Sequence, residues 1–168
     1  DFGSYDVFGW YVYGQAFQGE WVDNPDLHYL EAVLDDVSAL YNVDLNRVMV
    51  TGHSRGAGLS LIAAFERPDL FAGACAQAGF VGANDYHERI EELIATSQPA
   101  VALVHGEDDP DVHVDESDHA SEIFEDAGWI EGTEFIYERI PNATHEWQSH
   151  LNQEVWDFLD SHPRVEAP

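Results

Sequence analysis

Lysine is absent from this sequence. All six basic residues are arginines, they face 33 aspartates and glutamates, and the formal net charge is −27. That balance excludes a nucleic-acid surface, because phosphate contacts need a basic patch. Cysteine is almost absent as well. Cys75 stands alone, so no internal disulfide is available, and its small apolar setting, "FAGACAQAG", reads as a buried thiol and not a nucleophile. Long apolar runs are missing: none approaches the roughly 18 consecutive residues of a membrane span. No secretory leader is legible, and the opening "DFGSYDVF" carries no Met. We therefore expect the native N-terminus to lie upstream, and localisation, secreted or cytoplasmic, stays open.

What is present is a globular chain. Its 168 residues are 45% hydrophobic and 12% aromatic, enough to bury a core as one domain over residues 1–168. The acidity is spread along the chain and does not form a tail. Such a composition resembles that of proteins from extreme halophiles. A dense carboxylate surface holds water in concentrated salt, where the Debye length falls to about 3 Å and self-repulsion is screened. A source in a high-salt organism is the expectation, with stability that drops when salt is removed.

Apolar periodicity alternates between helix and strand. Pro25 to Tyr41 reads as a helix with Leu27, Leu30, Leu34, Val37 and Tyr41 on one face, and Asn24 and Pro25 fit its start. Short strands are expected in Arg47–Gly52, Leu70–Ala78, Pro99–Gly106 and Thr133–Ile140. Helices are expected over Ser54–Glu66, Tyr86–Ser97, Val114–Gly128 and Leu151–His162. This rhythm predicts an α/β fold, a mainly parallel sheet flanked by helices. Ligands in such sheets bind beyond the carboxyl ends of the strands. The segments to inspect are therefore "GHSRG", "GFVGAND", "HGEDDPD" and "PNATHEW".

The first of these fits a nucleophile elbow, Gly-x-Ser-x-Gly, between an apolar strand and an apolar helix. Ser54 is the candidate nucleophile, and the backbone N–H of Arg55 is the expected oxyanion donor at the helix N-terminus. A serine nucleophile needs a base, and the base an orienting acid, in the chain order Ser, Asp or Glu, His. His145, in the loop after the last strand, is the candidate base, ahead of His150. His53 is expected to point away from Ser54, and His105 to support its loop. Glu107, Asp108, Asp109 and Asp111 are all candidate acids.

"HGEDDPDV" resembles the His-Gly-x-x-Asp-Pro-x-Val motif that follows the penultimate strand of α/β-hydrolase esterases. "NVDLNRVMVTGHSRGAG", "FERPDLFAGACAQAGF" and "ATHEWQ" resemble the poly(3-hydroxyalkanoate) depolymerase group, which includes feruloyl and acetyl-xylan esterases. The resemblance implies an α/β-hydrolase fold, a triad of Ser54, Asp109 and His145, and hydrolysis of a small ester or polyester with no cofactor. Trp147, two residues after His145, becomes a candidate for the substrate pocket or for packing of the final loop. Trp10 and Trp21 are weaker candidates to cover the site.

The resemblance also implies that only the C-terminal half of the fold is visible, an N-terminally incomplete domain. The nucleophile strand then has an open edge unless Ser4 to Gly14 supplies a strand, and a missing N-terminal half or a homodimer would cover it. Arg55 also departs from the residues common after the nucleophile, although only its backbone is required. A peptidase or thioesterase on the same scaffold, or a non-catalytic fragment with a half-built oxyanion hole, are the alternatives. His113, His119, Asp109, Asp111 and Asp115 could serve as metal ligands, but no His-Glu-x-x-His or calcium-loop pattern is present, and no metal is expected.

Overall fold

All four apolar runs become strands. The computed structural model describes residue 10, residues 23–79 and residues 84–164, and for residues 84–88 the backbone alone. In chain order the elements are α1 (Pro25–Leu40), β1 (Met49–His53), α2 (Arg55–Glu66), β2 (Gly73–Gln77), α3 (Asn84–Leu93), β3 (Ala100–Gly106), α4 (Asp115–Asp126), β4 (Phe135–Ile140) and α5 (Asn152–Asp160). The strands form one parallel sheet in the order β1-β2-β3-β4.

Parallel strands covered on both faces read as continuous apolar runs, and β3 obeys this: all seven of its residues are buried. Its side chains divide by alternation. Val101 and Leu103 join the larger core with α2, α3 and α4, whereas Ala100, Ala102 and Val104 join a smaller one with Val155 and Leu159 of α5. Nine of the twelve residues of α2 are buried, Ala57 through Phe65, which explains why that helix is apolar nearly all round. An aromatic stack of Phe65, Phe124 and Trp129, with Phe135 set edge-on against Phe124, closes the α4 side.

Helix α1 starts as expected. Asn24 accepts the Asp26 N–H at 2.9 Å, and Pro25 occupies the first turn, where its missing N–H costs nothing. Its packing departs from the expectation. Leu27 is fully buried and Leu30 packs against the core, but Val37 and Tyr41 are 40% and 70% exposed. They extend a second apolar stripe with Tyr29, Val33 and Leu40, all exposed. The cause lies in the sheet: β1 is an edge among the described strands and is only half-buried, with Thr51 exposed, so little of α1 has a surface to meet. The candidate strand in Ser4–Gly14 lies, Trp10 aside, outside the described residues, as does Trp21.

Four arginines substitute for the missing lysines by each engaging two carboxylates. Arg47 meets Asp44 and Asp160, Arg67 meets Glu31 and Asp69, Arg89 meets Glu66 and Glu92, and Arg139 meets Glu107 and Asp118. A planar guanidinium can serve two carboxylates where an ammonium is a point charge.

Candidate active site

Strand register decides which residues share the working edge of the sheet. His53 pairs with Gln77, Gln77 with Val104, and Gly106 with Ile140, so the four strands end side by side. Ser54 follows β1 at once. Its backbone sits at φ 56° and ψ −121°, a region in which a side chain costs on the order of 1–3 kcal/mol and which clusters at functional sites. Ser54 N–H donates to the Gln77 carbonyl at 2.9 Å, and the Ser54 carbonyl accepts from Ala57 and Gly58. The hydroxyl occupies the N-cap position of α2 without capping it. Such a tight reversal requires Gly52, because a Cβ there would lie 2.1 Å from the Gly56 carbonyl oxygen. Arg55 opens α2, placing its N–H at the positive end of the helix dipole.

The acidic loop after β3 resolves into one buried carboxylate among exposed ones. Asp109 is 5% exposed, while Glu107, Asp108 and Asp111 face solvent. Asp109 Oδ1 accepts the N–H groups of Asp111 at 2.8 Å and Val112 at 2.9 Å, and Oδ2 lies 2.7 Å from His145 Nδ1. Burial alone would push this carboxyl up. The Val112 N–H, the His145 hydrogen bond and the Asp111 N–H outweigh it and hold the group below its ordinary value. A carboxylate kept ionised against an imidazole Nδ1–H can orient a base.

His145 reaches that carboxylate because two loops interlock. Glu107 N–H donates to the Ile140 carbonyl and Asp108 N–H to the Ala143 carbonyl, both at 2.9 Å. Gly106 permits the approach, since a Cβ there would lie 2.4 Å from the Ala143 oxygen. Gln77 holds the far side of the loop, accepting the Gln148 N–H through Oε1 at 2.7 Å. On the nucleophile side, the His53 ring lies 4.6 Å from that of His145, centroid to centroid. His53 therefore borders the candidate base. Burial, then the nearby His145, holds the His53 pKa below its ordinary value, and its Nε2 is buried without a hydrogen-bond partner.

Other candidates scatter. His150 is exposed in the short 3-10 turn Ser149–Leu151. His113 and His119 lie apart from Asp109: His113 pairs with Asp115 at 3.3 Å, and His119 approaches Glu122 at 3.7 Å. Among the described residues, the cluster with metal-compatible spacing is Asp109, Asp111 and His145, within 4.8 Å of one another, and two of these are the candidate acid and base. Trp147 donates its indole N–H to Asn152 Oδ1 at 2.8 Å and is 39% exposed. An open groove of about 690 Å³ runs beside Ser54, bordered by Trp10, Leu30, Thr51, His53, Arg55 and Leu59. Trp147 stands outside that lining, whereas Trp10 belongs to it.

Sequence reasoning missed Gln77, Gln148 and His53 as neighbours of this assembly. The available signal was a polar residue closing an apolar strand, as Gln77 does after "GACA". Buried polar groups are nearly always partnered, so such a residue marks a tie to another loop.

Comparison with known proteins finds relatives in both sequence and structure. Poly(3-hydroxyalkanoate) depolymerase C of Paucimonas lemoignei is 33% identical over 76 residues, which make up 45% of this chain and 17% of that protein. The crystal structure of esterase PE8 superposes with a TM-score of 0.62 at 27% identity, over 79% of this chain and 58% of that one. A thermostable esterase superposes with a TM-score of 0.64 at 26% identity, over 83% of this chain and 37% of that one. The chain thus spans less than two thirds of the length of each of these relatives. The parallel sheet with its flanking helices is part of an α/β-hydrolase fold. The family model of the prolyl oligopeptidase family matches residues 6–97, a stretch that holds the nucleophile elbow, and the chain belongs to that family.

Proposed function

We propose that the protein is a serine carboxylic ester hydrolase working through an acyl-enzyme on Ser54, with Asp109 and His145 completing the triad. The carrying observation is the 2.7 Å contact between Asp109 Oδ2 and His145 Nδ1, with the His145 ring against that of His53, the residue before the strained turn at Ser54. In this reading His145 Nε2 removes the Ser54 proton as Oγ attacks the ester carbonyl. Asp109 fixes the imidazole tautomer and stabilises the imidazolium. The Arg55 N–H donates to the oxyanion. The proton then passes from His145 to the departing alcohol, and water, activated by the same imidazole, releases the acid.

The single domain, the second oxyanion donor and the cover of the β1 edge belong to the same proposal. Donor and cover come from chain beside β1, outside the described residues, or from a second copy. One missing donor costs roughly 100- to 1000-fold in turnover. The similarity to a poly(3-hydroxyalkanoate) depolymerase supports a small ester or polyester segment as substrate. The net charge of −27 favours a neutral one. Family membership supports a second reading, cleavage of a short peptide by the same triad.

Ser54→Ala should abolish hydrolysis of a short p-nitrophenyl ester and labelling by a fluorophosphonate probe. Full activity in that variant would end the assignment. Parallel assays with an aminoacyl-proline amide separate esterase from peptidase.

A further inference from the structure

We propose that His105 is a positioning residue for the acid–base pair: its Nε2–H is a second imidazole donor to the Asp109 oxygen that His145 engages, and Ser117 fixes the tautomer that makes it one. This inference rests on the triad reading of Ser54, Asp109 and His145.

His105 is fully buried one residue before the end of β3. Its Nε2 lies 2.9 Å from the Val112 carbonyl oxygen and 3.2 Å from Asp109 Oδ2. Both neighbours are acceptors, so Nε2 must carry the proton. Nδ1 lies 2.7 Å from Ser117 Oγ, on the first turn of α4. In the neutral ring Nδ1 accepts and the Ser117 hydroxyl donates. Every polar atom of the imidazole is then satisfied without placing a charge in the core, where an unpaired charge is costly.

Asp109 consequently receives four N–H donors, two on each oxygen. The backbone turn of Asp111 and Val112 pins Oδ1. Oδ2 is shared by two imidazoles, one from β3 and one from the loop after β4. A shared oxygen is a weaker acceptor for each donor. His105 thereby fixes the carboxylate plane and also moderates its pull on the His145 proton. The titratable groups facing the pair are His53 against the His145 ring and Asp111 beside the carboxylate. None of these is altered in the variants below. A histidine that only filled space would need neither the serine nor the carboxylate.

The test is a kcat/KM profile of the full chain with a p-nitrophenyl ester between about pH 5 and pH 9, where histidine titrates. His105→Leu should lower kcat roughly tenfold, the worth of one hydrogen bond to a charged group. Its acid limb should rise by on the order of half a pH unit, because Asp109 then pulls on His145 alone. His105→Gln restores an N–H near the Nε2 position and should recover most of both effects. Ser117→Ala removes the tautomer lock and should shift the limb the same way by less. An acid limb unmoved in His105→Leu, or no recovery in His105→Gln, overturns the proposal and leaves His105 as packing. If His105→Leu does not fold, Ser117→Ala decides, and an unmoved limb there overturns it equally. Ser54→Ala is the control: activity surviving in it sinks the triad itself, whereas its loss alongside unchanged His105 variants sinks this inference alone.

Discussion

The two sides of this sheet are built to different standards of closure. At β3 and β4, every residue of β3 is buried, Phe124 and Phe135 are fully enclosed, and Asp109 has all its hydrogen-bonding capacity filled. At β1 and α1, a single residue of the sixteen-residue helix is buried and an apolar stripe faces solvent. Ser54 stands at the junction. In the proposed triad its acid and base come from the β3–β4 side, and the groove beside it opens on the β1–α1 side. In that proposal the groups whose positions matter most are anchored on the enclosed side of the described structure, and the groove lies on the more exposed one.

The sharpest way to break this contrast is at the carboxylate. Asp109→Asn keeps the shape but puts an amide against two imidazole donors, and it removes the charge that stabilises the imidazolium. Turnover of a p-nitrophenyl ester should fall by about 10⁴-fold. A loss smaller than tenfold would mean that the closed side is scaffolding only. The same substitution carries a stability signature. Asp109 titrates below its unfolded value of about 3.9, so the stability it contributes is present above that pH and lost as pH falls through the lower folded value. Denaturant melts should therefore show the gap between wild type and Asp109→Asn narrowing below about pH 4.

Next in size is the core of the closed side. Phe124 packs against Phe65, Trp129 and Phe135, and Phe124→Ala should cost about 3–5 kcal/mol by urea denaturation. A cost under 1 kcal/mol would place the cohesion of the domain elsewhere.

Much of this closed side was legible beforehand. The run "AVALVHG" had the length and apolarity of a doubly covered strand, and "VTGHSRGAG" placed a serine between strand and helix. The spacing of "HGEDDPDV" within a resembling motif picked Asp109 from four neighbouring acids, and the structure buries that acid while leaving the others exposed. The side-chain partnerships stayed hidden. His53 and His105 flank the nucleophile and the acid in sequence. Which ring meets His145, and which meets Asp109, depends on how two loops more than thirty residues apart interlock. Helix α1 misled for a related reason. Its apolar residues form two stripes, and periodicity cannot say which stripe a neighbouring element covers.

Salt should act on both sides through the surface. With 33 acidic residues against six arginines, self-repulsion in dilute buffer is screened only when the Debye length shortens toward about 3 Å near molar salt. We propose that this composition is halophilic. The thermal midpoint should then rise steadily between dilute buffer and molar KCl, and a midpoint indifferent to KCl would rule it out.

The smallest effect is expected on the open side, where it is the most informative. Val37 and Leu40 are 40% and 77% exposed on the outer stripe of α1. Gln has a helix propensity close to that of Leu, so a Val37→Gln, Leu40→Gln double variant leaves the helix itself nearly unchanged. If solvent is the true neighbour of this stripe, stability should move by less than about 0.5 kcal/mol, as for surface substitutions generally. If instead the stripe is covered, by further chain or by a second copy, two apolar side chains are taken from an interface. The loss should then exceed about 1 kcal/mol, with a lower sedimentation coefficient where the cover is a second copy. Denaturation and sedimentation velocity on this one variant therefore separate a surface that is finished as it stands from one that waits for a partner.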